Sequence, residues 1–239
     1  MEPSQAKEAS TVILVRPAAG GGFETLLTRR PSGMGFLGGV YVFPGGSVRK
    51  EDCSGVLLKR CHGLTPLEAH KVLREHLSPD LTLGHWVAGI RELYEEVGIL
   101  FCLSEDERPV NMKDGAFRRR LDEKRKALLE NSLDFFEFLE SENLLCDAGS
   151  LRTFSHWLTP EEFPVRFDTR FYLALLPEDQ IPLLTSPEVA HSLWIAPEHS
   201  LRLYERGELP MIFPTFASLR ALANFESIED VLAEYPRHG

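Results

Sequence analysis

Three glutamates lie close together in the chain, with a spacing that suits a metal ion: Glu92, Glu95 and Glu96. If residues 91–99 form a helix, positions i, i+3 and i+4 share one face, and the three carboxylates come within several ångströms of one another. Such groups repel unless a cation lies between them, and their hard oxygen ligands suit Mg²⁺ or Mn²⁺. The spacing therefore predicts a divalent-metal site. The competing interpretation is a solvated helix surface, whose exposed ion pairs contribute little.

A helix is the element that must position these acids. Four apolar side chains recur at spacings of four, three and four residues: Trp86, Ile90, Leu93 and Val97. This period is typical of a helix face packed against a core. Gly98 follows, and glycine is the residue that most often ends a helix in the left-handed conformation. We therefore expect a helix that starts near His85 and ends at Gly98, with its acids facing outward.

The acidic segment resembles the second half of the Nudix box, whose consensus is Gly-x5-Glu-x7-Arg-Glu-U-x-Glu-Glu-x-Gly-U, with U an aliphatic residue. The matching positions are Arg91, Glu92, Leu93, Glu95, Glu96, Gly98 and Ile99. The first half resembles residues 46–52, which follow a Phe-Pro-Gly turn, with Gly46 as its glycine and Asp52 in place of glutamate. An aspartate can still accept from an arginine or reach a metal through water. Between Asp52 and Arg91 lie 38 residues where the consensus has seven, an expansion of 31.

This expansion, together with residues 35–46, 157–160 and 166–171, is similar to a Nudix subgroup that includes peroxisomal coenzyme A diphosphatases. The resemblance implies an α/β fold of the Nudix type, an α/β/α sandwich with a mixed sheet and added helical insertions. It also implies hydrolysis of a diphosphate bond. We expect one domain over residues 1–239, with insertions at about 53–84, inside the box, and at about 104–148, as a helical lobe.

The resemblance also implies roles for individual residues. Glu92, Glu95 and Glu96 are the expected metal ligands, and Arg91 is expected to orient a carboxylate through a bidentate pair. The catalytic group is predicted to comprise Arg91, Glu95 and a later loop glutamate that serves as ligand or base, for which Glu188 is the candidate. The backbone of Gly45 and Gly46 is expected to contact substrate.

The substrate is predicted from a second resemblance. Residues 26–30 are similar to the start of a coenzyme A signature, Leu-Leu-Thr-x-Arg, which makes Arg29 and Arg30 candidate substrate-binding residues. Gly35 stands where that signature has a further basic residue. Coenzyme A or acyl-CoA is the favoured substrate, giving 3′,5′-ADP and 4′-phosphopantetheine or its acyl form. The alternatives are an ADP-ribose or dinucleotide diphosphatase, and a non-catalytic module that binds a nucleotide through the same fold.

Composition narrows the classes of partner. The 26 basic and 36 acidic residues give a net charge of −10, which argues against nonspecific nucleic-acid binding as the main activity. No apolar run reaches the length of a membrane span, and residues 1–5 lack the features of a secretion signal. The four cysteines form no Cys-x-x-Cys pair, so reduced thiols and a cytoplasmic location are expected. Association into a homodimer stays open. Five candidate zinc ligands fit no compact pattern, and packing is favoured for them: Cys53, Cys61, His62, His70 and His76.

Periodicity and capping residues predict the remaining elements. Strands are expected at residues 11–16 and 23–28, as a hairpin, and at 152–158, 166–176 and 192–195. Helices are expected at residues 65–76, twice within 111–146, from Pro197, and at 215–223 and 227–235. The basic clusters at 118–120 and 124–126 are interpreted as a solvated face, with contact to substrate phosphates as the alternative. The glycine-rich residues 33–39 lack the Lys-Ser/Thr of a P-loop.

Overall fold

The computed structural model describes residues 5–33, 37–73 and 76–237. Its strands are β1 Lys7–Pro17, β2 Phe23–Arg29, β3 Tyr41–Val42, β4 Gly45–Ser47, β5 Cys61–His62, β6 Cys102–Ser104, β7 Leu144–Asp147, β8 Arg152–Leu158, β9 Phe167–Leu175 and β10 His191–Ile195. Its α-helices are α1 Gly55–Leu58, α2 Pro66–Leu73, α3 Pro79–Val97, α4 Gly115–Leu129, α5 Phe135–Ser141, α6 Pro197–Glu205, α7 Phe213–Leu222 and α8 Ile228–Glu234. A short 3-10 helix spans Glu51–Cys53.

The main sheet is mixed and lies between two helical layers. Its strand order is β10-β2-β1-β9-β8, with β3 added to β2 and β4 added to β1. The β1–β9 pair is parallel and the other pairs are antiparallel. Along β1, Val12 and Leu14 join the core on the α3 side, whereas Ile13 and Val15 join the core that contains residues of α7 and α8. This arrangement confirms the predicted α/β/α sandwich.

Helix α3 forms the centre of one layer. It begins at Pro79, where the Ser78 side chain accepts from the backbone N–H of Leu81 at 3.3 Å, and it ends at Gly98, whose φ is 73°. The left-handed end was predicted correctly, but the start near His85 was wrong. The Ser-Pro cap precedes the apolar period by two turns, so periodicity alone missed it.

The prediction that the acids of α3 face outward was also wrong. Glu92, Glu95 and Glu96 are only 6, 2 and 6% exposed. Strand β4, the 3-10 helix at Glu51–Cys53 and α4 all pack against α3, so this helix is covered on its polar side as well as on its apolar side. The solvated-surface interpretation is therefore excluded, since all three carboxylates are more than nine-tenths buried.

Between β6 and β7, the chain forms a lobe that contains α4 and α5. The Arg125 side chain donates to the backbone carbonyl of Glu95 at 2.5 Å, and the Tyr94 hydroxyl donates to the carbonyl of Leu121 at 2.6 Å. These two bonds join α4 directly to α3. Within the basic clusters, Arg120 and Lys124 pair with Glu142 at 3.0 and 2.6 Å.

Most predicted elements are present, and a few were missed. The hairpin forms between β1 and β2, and β8, β9, β10 and α6 to α8 agree with the predicted positions to within two residues. Thr65 and Glu68 form the expected cap of α2, although residues 74 and 75, in the predicted last turn, lie outside the described residues. Gly35 also lies outside them. The three-stranded sheet β5-β7-β6 and helix α1 had not been predicted.

The part of the chain that the structure describes contains no helix long and apolar enough to cross a membrane.

Candidate active site

Three carboxylates meet at one point of the structure. Glu92 and Glu96 project from one side of α3, and Glu188 comes from the turn before β10; one oxygen from each lies within 4.8 Å of the others. We call these three residues the acid trio. The turn is tight, because Ser186 and Val189 exchange backbone hydrogen bonds of 2.9 and 3.1 Å across Glu188. Among the described residues, this is the only such group of potential metal ligands, and the histidines and cysteines considered for zinc form none.

The glycines of β4 allow the sheet to approach the acid trio closely. The backbone N–H of Gly45 donates to Glu96 Oε2 at 3.3 Å. A Cβ at Gly46 would lie 2.5 Å from the carboxyl carbon of Glu92, and a Cβ at Gly45 would lie 2.3 Å from the Ser10 carbonyl oxygen. Gly45 therefore requires glycine, since a side chain there would displace β4 from β1, whereas a side chain at Gly46 would push the Glu92 carboxylate aside.

The electrostatics of the acid trio fit a cation. Burial raises the pKa of Glu96 well above its usual range, and the nearby charges of Glu92 and Glu188 raise it further. Two buried carboxylates one helical turn apart, with a third brought to them by a separate loop, leave negative charge that the surrounding protein does not balance. Carboxylate oxygens are the ligands that Mg²⁺ and Mn²⁺ prefer, so the residues present suit these ions.

Arg91 and Asp52 connect the two halves of the expanded box. Arg91 Nε and Nη2 donate to Asp52 Oδ1 and Oδ2 at 2.8 and 2.9 Å, and both residues are buried. Burial alone would lower the pKa of Arg91, but its hydrogen bonds to Asp52 raise it. Asp52 also accepts from the backbone N–H of Arg49 at 2.8 Å. The shorter aspartate thus makes the bidentate pair with the arginine, across 38 intervening residues.

Glu95 lies outside the acid trio. Its carboxylate accepts from Arg91 Nη1 at 3.0 Å and from Arg49 Nη1 and Nη2 at 3.0 and 2.9 Å. Arg91 Nη1 also donates to Glu92 at 2.7 Å. The structure therefore brings Glu92 and Glu96 together, as expected of ligands, and places Glu95 among arginines. Arg49 was missed from the sequence, where its position three residues after Gly46 in the box loop was the available signal.

The two candidate substrate-binding arginines differ in their surroundings. Arg29 Nε donates to the Gly39 carbonyl at 3.1 Å, and its guanidinium lies 5.8 Å from the centre of the Tyr41 ring. Arg30 adjoins the turn that carries Glu188, because the carbonyl of Arg29 accepts from the backbone N–H of Ala190 at 2.9 Å. The charge of Arg30 opposes the rise in the pKa of Glu96. Arg30 Nε is buried and has no hydrogen-bond partner among the described residues, so no bond through this nitrogen holds Arg30 to the protein.

A buried histidine links α3 to the strand β1, which lies beneath the site. His85 is fully buried, and its Nδ1 lies 3.0 Å from Ser10 Oγ and 3.2 Å from the Ala9 carbonyl. Ser10 is paired with Gly46 across the β1–β4 ladder. His85 thus ties the first half of α3 to the strand beneath Gly46. The sequence analysis used His85 only to mark a helix start.

Comparison with known proteins is consistent with this geometry. A family model described as the NUDT19 Nudix domain matches residues 6–222. The acyl-coenzyme A diphosphatase NUDT19 of Gallus gallus is 29% identical over 269 residues, covering 94% of this chain and 70% of the relative. The human protein of the same name is 24% identical, covering 96% and 72%, and that of Xenopus laevis is covered over 62% of its length. A crystal structure of a Nudix hydrolase from Alicyclobacillus acidocaldarius matches with a TM-score of 0.74 and 28% identity, covering 99% of each chain.

Proposed function

Because this chain belongs to the NUDT19 Nudix domain family and is a Nudix diphosphohydrolase, we propose that it hydrolyses the diphosphate bond of coenzyme A or acyl-CoA with Mg²⁺ or Mn²⁺. The observation that carries the proposal is the acid trio beneath Gly45 and Gly46. The names of the vertebrate relatives support the substrate. The products would be 3′,5′-ADP and 4′-phosphopantetheine, or its acyl form.

The reaction adds water across a P–O–P bond. The water oxygen bonds to one phosphorus while the bridging oxygen leaves with the other, and two phosphate monoesters form. A divalent ion held by Glu92, Glu96 and Glu188 would neutralise phosphate oxygens and lower the pKa of the attacking water. Because Glu188 is the exposed member of the acid trio, we propose that substrate enters on its side. The backbone of Gly45 and Gly46 lies against Glu96 and Glu92.

The chain's own residues position this centre. Arg91 holds Glu92 through Nη1 while its other nitrogens hold Asp52, so the first ligand is oriented by a cation that is itself fixed. We assign Glu95 to the same task, because it restrains Arg91 and Arg49 beside Glu92. We propose Arg30 as the cation that meets a substrate phosphate, because it adjoins the turn that carries Glu188 and its Nε has no partner among the described residues. We further propose that residues 53–84 and 104–148 are insertions into a single domain.

The test is a substrate panel with product identification. Purified protein and Mg²⁺ are incubated with coenzyme A, an acyl-CoA, ADP-ribose and a diadenosine polyphosphate, and the products are identified by mass. We expect the highest kcat/KM with the coenzyme A compounds. Failure to release 4′-phosphopantetheine from coenzyme A would reject the favoured substrate, and failure with every compound would favour a nucleotide-binding module.

A further inference from the structure

A cavity of about 460 Å³ lies beside the acid trio, between the box and the lobe of α4 and α5. Its inner wall contains Arg49, Asp52 and Arg91, and its outer wall is formed by residues 131–135 and Glu137. The Arg49 side chain is 40% exposed, and its Nη2 lies 4.0 Å from Glu92 Oε1. Arg49 therefore lines the cavity and also approaches Glu92 of the acid trio. Small-molecule sites occupy roughly 300–1,000 Å³, so the volume is sufficient for a ligand.

The outer wall of this cavity is held in place. Arg125 and Tyr94 bond α4 to α3, as described above. Asp134 and Glu137 form a capping box at the start of α5, in which each side chain accepts from the backbone N–H of the other residue, at 2.8 and 3.1 Å. Because these bonds within the protein hold the wall, binding there does not have to supply the free energy of ordering it.

The charges of the lining select the kind of group that fits. Two arginines and four carboxylates line the cavity, which gives a formal charge of −2. Both arginines are already paired with carboxylates, so a further phosphate would meet net repulsion there. Leu133 and Phe135 add apolar surface, and Asn131 and Ser132 add an amide and a hydroxyl. The lining suits an elongated, uncharged arm with both apolar and hydrogen-bonding groups.

The residues next to Glu188 have the opposite charge. The Arg29 carbonyl accepts from the backbone N–H of Ala190 at 2.9 Å, two residues after Glu188, so Arg29 and Arg30 adjoin this member of the acid trio. Arginine guanidinium groups recognise phosphate well. The acid trio therefore has a cationic flank beside Glu188 and, through Arg49, a cavity of net negative charge beside Glu92.

Resting on the proposed function, we propose that the cavity binds the pantetheine arm of coenzyme A and that the Arg29–Arg30 flank receives its phosphorylated adenosine half. Pantetheine is uncharged and carries amides and hydroxyls, whereas the adenosine half bears a further phosphate. The diphosphate then spans the acid trio between them. The lobe of α4 and α5 becomes the element that selects the leaving group.

The test measures the two halves of the substrate separately. Binding of 4′-phosphopantetheine and of 3′,5′-ADP, each with Mg²⁺, is measured by calorimetry for the wild type and for Ser132→Trp, which fills the cavity from the lobe. We expect Ser132→Trp to weaken 4′-phosphopantetheine binding and to raise the KM for coenzyme A by about tenfold or more, with 3′,5′-ADP binding unchanged. Arg30→Ala should give the reverse pattern. Glu123→Trp, an exposed α4 position outside the cavity, is the matched control and should match the wild type.

Two outcomes overturn the proposal. Weakened 3′,5′-ADP binding in Ser132→Trp would reverse the assigned orientation, and unchanged binding of both halves would remove the cavity from the substrate site. Glu51→Trp fills the cavity from the opposite wall and gives the same readout if Ser132→Trp does not fold. Failure of the wild type to hydrolyse coenzyme A rejects the proposed function alone, because binding of each half is measured without turnover.

Discussion

Replacing Glu96 by glutamine tests two effects of the acid trio separately: the destabilisation of the metal-free fold and the binding of the metal ion. Glutamine keeps the shape of the side chain and removes its charge. Two unit charges 4.8 Å apart repel by about 3.5 kcal/mol at an effective dielectric constant of about 20. Exposure of Glu188 and the nearby Arg30 reduce this repulsion, so we expect metal-free Glu96→Gln to be about 1–3 kcal/mol more stable than the wild type. For a chain of this length, that difference raises Tm by roughly 2–12 °C.

When metal is added, the wild type should become more stable than Glu96→Gln. A ligand that binds only the folded state at 100 times its Kd stabilises by about 2.7 kcal/mol, and the wild type should gain most from Mg²⁺. The experiment compares Tm in EDTA and in saturating Mg²⁺ at pH 8. High pH gives the clearest result, because a buried acid with a raised pKa destabilises the metal-free fold increasingly as pH rises through that pKa. Turnover of Glu96→Gln should fall by orders of magnitude.

Glu95→Gln is the matched control, one position away on the same helix. Burial and the charge of Glu92 raise the pKa of Glu95, but its carboxylate is paired with Arg49 and Arg91, so the substitution breaks two ion pairs that Glu96 lacks among the described residues. We expect it to destabilise the metal-free protein by about 1–3 kcal/mol, since Arg91 keeps Asp52 and Glu92 as partners. A lower Tm for Glu96→Gln in EDTA, or an equal gain from Mg²⁺ in wild type and Glu96→Gln, would refute the assignment of the trio.

Three further substitutions test other parts of the site and fold. Asp52→Ala leaves Arg91 buried without its bidentate partner and should lower the free energy of unfolding by about 3–5 kcal/mol in urea, whereas Asp52→Glu should lose less; equal losses would contradict the pairing. Gly46→Ala places a Cβ against the Glu92 carboxylate and should lower kcat/KM by about tenfold or more while circular dichroism stays native; an unchanged Mg²⁺ titration would count against the close approach. Burial raises the pKa of Glu142, but its bonds to Arg120 and Lys124 lower it overall, so Glu142→Gln should lower the free energy of unfolding by about 1 kcal/mol at pH 7. This difference from the wild type should disappear as pH falls through the lowered pKa. Urea unfolding at pH 7 and pH 3 measures it, and a difference that persists at pH 3 would exclude the ion-pair origin.

Local sequence signals predicted the elements whose buried faces and ends are marked by their own residues. The period of Trp86, Ile90, Leu93 and Val97 marked the buried stripe of α3, and Gly98 marked its end. The small sheet escaped prediction because β5 has only two residues and β6 only three, too few to show alternation. Its pairing is also nonlocal, since Cys61 and Cys102 both lie opposite Cys146.

The burial of the acids could not be inferred from a helical pattern alone. A pattern with an apolar stripe on one side predicts water on the other, and that inference holds when nothing else packs there. Here the lobe covers the acidic side of α3 through Leu121 and Arg125, which lie 27 and 30 residues after their partners Tyr94 and Glu95. The covering element had been predicted as helix, but its contact with α3 depends on the tertiary structure.

The division of labour among the three glutamates follows from helix geometry combined with one distant residue. Positions 92 and 96 are one turn apart, so both carboxylates reach Gly45, Gly46 and Glu188, whereas position 95 is rotated by about 100° from 96. Rotation alone would leave Glu95 as a third buried charge without a partner. Arg49, 46 residues earlier, forms an ion pair with Glu95, and Arg91 on the same helix forms a second one. Three buried acids are tolerable on one turn because Arg91 and Arg49 balance part of their charge, and the charge that remains on Glu92 and Glu96 is left for an ion that Glu188, on a separate loop, helps to hold.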